Sequence, residues 1–245
     1  MPCLSYKSLP AYAVLVAGGQ GLRMNQDRPK QFLFLNEKPI LLHTFERFYR
    51  SKLFSKIVIV ISSSQKNYWI ETCKAYDWLE NRDFILANGG DSRFDSVYAG
   101  LQILPSQDEA LVAVHDGIRL FVSTEFISQC LEQAYLYQNA IPCTIPVESF
   151  RYMNSDSDME KQSHTINRNL VRSIQTPQCS YFSVLKNAFE QAKKELDYPD
   201  IFTDEASVLE HTGNNIHLCS GLPQNIKITQ SFDLIMAEYL LNQGY

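Results

Sequence analysis

The sequence predicts a single α/β domain spanning residues 1–245, built on a doubly wound, mostly parallel sheet from which a β-arm projects. Three observations carry that expectation. Segments of strand and helix character alternate through most of the chain. The run Ile57-Val58-Ile59-Val60-Ile61 is β-branched throughout, the pattern of a parallel strand covered on both faces. Glycine turns, Gly18-Gly19 and Gly89-Gly90, follow two predicted strands at their carboxyl ends, where open α/β sheets bind ligands.

Taken in order, Tyr12-Ala13-Val14-Leu15-Val16 is the first buried strand. A helix follows from Pro39 to Phe48, with Pro39 expected at its first position. Ile57–Ile61 is the second strand. Between about Gln65 and Trp78 an amphipathic helix places Tyr68, Trp69, Cys73 and Tyr76 in the core. Phe84–Ala87 is the third strand, and it runs into Asn88-Gly89-Gly90-Asp91-Ser92, a tight turn with a helix-start signal. Leu111–His115 is the fourth strand and delivers His115-Asp116-Gly117-Ile118-Arg119 to the same rim. A helix from about Ser123 to Tyr137 precedes Glu148 to Arg172, where the character turns polar. Two short alternating arms there flank a charged tip, which reads as an extended hairpin. Such a hairpin buries little by itself, so a second copy of the chain is its expected packing partner. Beyond it lie a helix from Tyr181 to Glu195, a helix start at Thr203-Asp204, strands at Ile216–Cys219 and Asn225–Thr229, and a last helix from Phe232 to Leu241. There is no internal repeat, long linker or low-complexity tract.

Composition narrows the function. Lys and Arg total 22 against 27 Asp and Glu, a net charge of −5, which argues against general nucleic-acid binding. Any anion site is then a local cluster of cations. No apolar run reaches the ~20 residues a membrane helix needs, and the N-terminus lacks an apolar signal region. The six cysteines form no C-x-x-C pair and read as reduced thiols, which favours a cytoplasmic enzyme over a secreted or zinc-binding protein.

The chemistry concentrates on Ala17-Gly18-Gly19-Gln20-Gly21. Its glycines expose backbone N–H groups, and Arg23 and Lys30 follow closely. Bare amides beside two fixed cations suit a polyphosphate. The pattern matches neither G-x-x-x-x-G-K-[ST] nor G-x-G-x-x-G. Other positions are ambiguous on residue type alone. Asp116 and Arg119 form a ligand-facing pair or a surface ion pair. Thr203 or Asp204 reads as a helix cap. Lys227 reads as the solvent-facing member of a strand. His115 reads as a packed residue rather than a base.

The string A-G-G-x-G-x-R-M followed by P-K-Q-F resembles the signature loop of sugar-nucleotide pyrophosphorylases. With the other motifs, the chain from Ala13 to about Leu241 resembles the 2-C-methyl-D-erythritol 4-phosphate cytidylyltransferases of the non-mevalonate isoprenoid pathway. The resemblance implies a Rossmann-like nucleotidyltransferase fold and a set of roles. Arg23, Lys30 and Lys227 (in N-I-K-[IV]-T) would act on the phosphates. Ala17, Gly18 and Gly19 would hold the nucleotide, as would backbone atoms at Gly90 and Asp91 and the Ser96 hydroxyl (in G-G-x-x-R-x-x-S-V). Asp116 and Arg119 match D-[AG]-x-R, with Asp116 near a divalent metal, Mg²⁺, and Arg119 on the sugar phosphate. Arg168 and Thr176, on the arm and its return, and Thr203 match further sugar-phosphate contacts. The substrates would be CTP and a sugar-alcohol phosphate, and the β-arm at 148–172 would make a homodimer. One departure stands out: the family often reads P-V-x-D-T entering the arm, whereas this chain has Pro146-Val147-Glu148-Ser149-Phe150. That keeps ribitol-5-phosphate cytidylyltransferase open as the alternative activity. A nicotinamide-dependent oxidoreductase is disfavoured by the mismatch to G-x-G-x-x-G, and a non-catalytic nucleotide sensor has no need of Arg23, Lys30 and Lys227 together.

Overall fold

The computed structural model describes residues 6–19, 29–76, 84–106, 109–153, 163–195 and 201–245. Four strands form its parallel centre: β1 (Ala11–Val16), β4 (Lys56–Ile61), β5 (Ile85–Asn88) and β6 (Leu111–Asp116), in the order β5-β4-β1-β6. Between β1 and β4 the chain makes a short antiparallel pair, β2 (Phe34–Leu35) with β3 (Lys38–Pro39).

Successive side chains on the central strands serve opposite faces. Ala13, Leu15, Ile57 and Ile59 pack with α1 (Ile40–Ser51), α2 (Lys66–Ala75) and α4 (Thr124–Tyr137). Tyr12, Val14, Val58 and Val60 pack with α3 (Arg93–Ile103), α5 (Phe182–Glu195) and α6 (Glu205–His211). Val14, Val58, Val60 and Ile59 have no exposed surface, because helices cover the sheet on both sides. This is the doubly wound arrangement that the β-branched runs predict.

The sheet is mixed rather than uniformly parallel. β11 (Gln178–Tyr181) lies between β6 and β7 (Asn139–Thr144) and runs antiparallel to both, and β10 (Ser173–Ile174) is antiparallel to β7. The string Gln-Cys-Ser-Tyr is too short and polar to announce a strand, yet its neighbours on both sides bury it. β12 (Leu218–Ser220) adds to β7 in parallel. β8 (Phe150–Met153) and β9 (Ser163–Ile166) pair antiparallel as a separate two-stranded ribbon, with most of their residues exposed.

Two local expectations are corrected. Pro39, with φ −60° and ψ 142°, is the extended residue before α1 rather than its first helical residue. Asn225–Thr229 is no strand. Its alternation reflects an extended path, but its polar groups are met by scattered partners instead of a ladder: the Asn225 carboxamide donates to the Thr176 carbonyl (2.7 Å), and the Ile228 N–H to the Ile118 carbonyl (3.1 Å). Ile228 is buried with Leu33, Leu35, Ile40, Leu120 and Phe121 under α7 (Ser231–Asn242). Among the described residues, no helix is long and apolar enough to cross a membrane.

Candidate active site

The carboxyl ends of β1, β4, β5 and β6 open into a cleft of about 650 Å³. Register sets its floor, because Val16 at the end of β1 pairs with Val60 of β4 and Asp116 of β6. The first glycine turn leaves β1 with the Ala17 N–H donating to the Val60 carbonyl (2.8 Å), and the second leaves β5 with the Gly89 N–H donating to the Ile61 carbonyl (2.8 Å). Both turns are thus tied to β4, which lies between β1 and β5. Ala17, Gly18, Gly19, Gly90, Asp91, Ser96, Lys30, Asp116 and Lys227 all line the cleft.

Ser96 joins the turns. Its Oγ accepts from the Gly90 N–H (3.2 Å), donates to the Ser92 carbonyl (2.9 Å), and lies beneath Gly18. Gly90 admits no larger residue, since a Cβ there would stand 2.3 Å from the Cβ of Asp95. The second turn feeds α3 through Ser92, whose Oγ accepts from the Asp95 N–H (3.0 Å).

Lys30 opens a short 3₁₀ turn, Lys30–Phe32, which the neighbouring Gln31 anchors. The buried Gln31 carboxamide donates to the Ala17 carbonyl (2.7 Å) and to Gln65 Oε1 (2.9 Å), so the lysine's backbone is tied to the end of β1. Phe32 is buried against Trp69 and Tyr68. This explains why glutamine and phenylalanine follow the lysine, a role that sequence reading missed.

Asp116 is the electrostatic centre. Its Oδ2 lies 3.0 Å from Lys227 Nζ and 3.5 Å from Arg119 Nε, and its Oδ1 lies 3.5 Å from Arg93 Nη2. Burial opposes its ionisation, but Arg93, Lys227 and Arg119 outweigh that and hold the carboxyl far below the usual carboxylate range. Lys227, whose side chain is 40% exposed, reaches the cleft from the extended 225–229 segment.

Other sequence-predicted residues lie elsewhere. Arg119 is buried and does not line the cleft. It donates to the Asn225 carbonyl (2.8 Å) and braces Asp116 from beneath. Thr176 is also buried: its Oγ1 accepts from the Asp116 N–H (3.1 Å) and pairs with His115 Nδ1 (2.9 Å). His115 Nε2 meets the Arg119 carbonyl at 2.8 Å, so both imidazole nitrogens are engaged, and burial pushes its pKa down to about 4. Thr203 is exposed just before Asp204, which caps α6 by accepting from the Ser207 N–H. Arg168 lies beyond the ribbon, exposed, with Nη1 donating to the Val147 carbonyl (2.7 Å). It does not line the cleft of its own chain. Arg23 falls outside the described residues.

The cleft therefore offers exposed amides, two lysines and the buried, ionised carboxylate of Asp116, a set that binds and aligns polyanions. Among the described residues, no three His, Cys, Asp or Glu side chains gather as a metal cage. The donors fit Mg²⁺ in its usual form with nucleotides, held by one or two carboxylates while the phosphates supply further oxygens.

The 2-C-methyl-D-erythritol 4-phosphate cytidylyltransferase family profile matches residues 11–243. A protein of that name from Phocaeicola vulgatus is 41% identical over 230 residues, covering 94% of this chain and 99% of the relative. One from Porphyromonas gingivalis is 41% identical over 231 residues, covering 94% and 97%. Among solved structures, the 2-C-methyl-D-erythritol 4-phosphate cytidylyltransferase of Francisella tularensis superposes with a TM-score of 0.78 at 30% identity, covering 94% of this chain and 99% of that one.

Proposed function

The chain belongs to the 2-C-methyl-D-erythritol 4-phosphate cytidylyltransferase family, and from that premise we infer that it joins CTP and 2-C-methyl-D-erythritol 4-phosphate, giving 4-diphosphocytidyl-2-C-methyl-D-erythritol and pyrophosphate. One observation carries the reading at the level of the site: two glycine turns, from the strands on either side of β4, meet Lys30, Lys227 and Asp116 in a single cleft.

In the reaction, a phosphate oxygen of the acceptor forms a bond to the α-phosphorus of CTP, and the bond from that phosphorus to the β-phosphate oxygen breaks. The second pKa of a phosphate monoester is about 6, so the nucleophile is already ionised at neutral pH and needs no general base. The residues present agree: His115, the imidazole nearest the cleft's carboxylate, is buried and held neutral by its packing. What remains is to align two polyanions and neutralise charge as it moves to the leaving pyrophosphate. Lys30 and Lys227 serve the phosphates, with Arg23 assigned the same task by its position on the glycine loop. Asp116 fixes the Lys227 ammonium at 3.0 Å. Arg119 and Thr176 act through Asp116 rather than on the substrate. Gly18, Gly19, Gly90, Asp91 and Ser96 form the nucleotide wall, Thr203 the acceptor edge. Mg²⁺ would be held by Asp116 together with the triphosphate and would neutralise phosphate charge. The free thiols of the five described cysteines support a reducing, cytoplasmic setting.

Incubation with CTP, Mg²⁺ and a panel of acceptors tests the reaction. Pyrophosphate release is expected with 2-C-methyl-D-erythritol 4-phosphate and not with ribitol 5-phosphate, and ATP or GTP should not replace CTP. Equal turnover of the two acceptors would contradict the assignment.

The β-arm at 148–172 completes the proposal as a homodimer contact. Leu170 (83% exposed) and Val147 (80%) are large apolar side chains open to solvent, and Arg168 lies beside them, where it can face a partner's acceptor phosphate. Co-expressed Arg168→Ala and Lys30→Ala chains should form heterodimers with one intact composite site and regained activity. Heterodimers no more active than their parents would exclude sharing.

A further inference from the structure

Arg93 breaks a local rule. It is the first residue of α3, where a cation opposes the helix dipole, and Ser92 already supplies the cap. Its side chain is only 23% exposed. Burying a guanidinium at a helix N-terminus is unfavourable twice over, so its partners have to account for it. Nη1 and Nη2 grip both oxygens of Glu205 at 2.7 and 3.1 Å, and Nη2 also stands 3.5 Å from Asp116 Oδ1. Glu205 is itself the first residue of α6 and is 1% exposed. The pair thus ties the start of α3, reached through the glycine turn Gly89-Gly90, to the start of α6, which lies two residues after Thr203.

A buried ion pair is a weak reason in itself for stability, since apolar residues of similar volume often do as well. The geometry is also asymmetric. Arg93 lines the cleft, whereas Glu205 lies behind it. We propose that Arg93 is a further substrate-facing cation of this site, and that Glu205 is its positioning residue, holding the fork so that one edge serves Asp116 and the cleft. Burial pushes the Glu205 carboxyl upward on balance, the two-pronged contact with Arg93 opposing it, while Glu205 and Asp116 hold the Arg93 guanidinium charged. This deepens the cytidylyl-transfer reading and rests on it.

The test pairs CTP affinity, measured calorimetrically with Mg²⁺, with turnover and thermal unfolding. The double variant Arg93→Met with Glu205→Leu replaces the pair by apolar side chains. It should melt near the wild type yet lose about a hundredfold in kcat/KM and bind CTP correspondingly more weakly. Glu205→Gln alone should weaken CTP binding about tenfold, because a neutral partner no longer fixes the fork. Arg93→Lys, which keeps a charge for Glu205 but not the planar fork, should also bind CTP weakly at an unchanged melting temperature, and it decides the matter if the apolar pair does not fold. Wild-type-like CTP affinity and turnover, within about threefold, in Arg93→Lys or in the folded apolar double would overturn the proposal and leave the pair a staple between helices. A wild type that binds CTP but forms no product from 2-C-methyl-D-erythritol 4-phosphate would sink the cytidylyl-transfer reading, while the affinity comparison would still decide the role of Arg93.

Discussion

Asp116 meets three cations at once, and this residue-scale fact sets what each neighbour can do. Lys30 is not among the three, and its ammonium is assigned to the transferring phosphoryl group. Lys30→Ala should lower kcat by ~10²–10³ in steady-state assays, and Lys30→Arg should be poor as well, because a planar fork places its charge differently. A Lys30→Ala enzyme that keeps half its turnover would remove that role. His115 gives a prediction about stability. Burial lowers its pKa from 6.5 to about 4, so the folded protein carries it neutral while the unfolded chain binds a proton below 6.5. Its contribution is complete above about pH 6.5 and is lost as pH falls toward 4, a change on the order of 3 kcal/mol across that window. Urea midpoints at pH 7.5 and 5 should differ accordingly, and the difference should shrink in His115→Gln. At this scale the sequence is legible where chemistry and position coincide: glycines at strand ends, and a lysine beside them. Arg93 and Gln31 are not legible, since a helix-start arginine and a glutamine after a lysine take their meaning from Glu205, Ala17 and Gln65, partners up to 112 residues away.

Elements differ in how they announce themselves. β1, β4 and β6 are apolar on both faces and stand out in the sequence, as do the helices that cover them. β11 and the 225–229 segment do not, and for opposite reasons. β11 is a polar string that becomes a strand because β6 and β7 leave a gap of its width. Residues 225–229 alternate like a strand yet pair with no ladder, being held by Asn225 and by the burial of Ile228. A prediction follows from that difference. Asn225→Ala leaves the buried Thr176 carbonyl unpaired, which should cost about 1–3 kcal/mol in urea unfolding. It also loosens the segment that carries Lys227, so kcat should fall with it. An Asn225→Ala protein as stable and active as the wild type would show that the backbone contact to Arg119 suffices.

For the whole molecule, the sheet acts as a register gauge. Val16, Val60 and Asp116 stand side by side near the carboxyl ends of their strands, so loops of unrelated sequence converge there and contacts such as those of Ser96 and Gln31 fasten them. That convergence yields a site of charge and shape, and the imidazole beside it, His115, is buried with both nitrogens engaged. The central claim is that catalysis is electrostatic and positional, with the acceptor phosphate entering already ionised. The pH profile of kcat/KM for the acceptor, at saturating CTP and Mg²⁺, tests it most directly. The account predicts one rising limb near the acceptor's own second pKa, about 6, and a plateau from about pH 7 to 9. A second ionisation within that plateau that disappears on substituting a cleft residue would reveal an enzymatic base and contradict it.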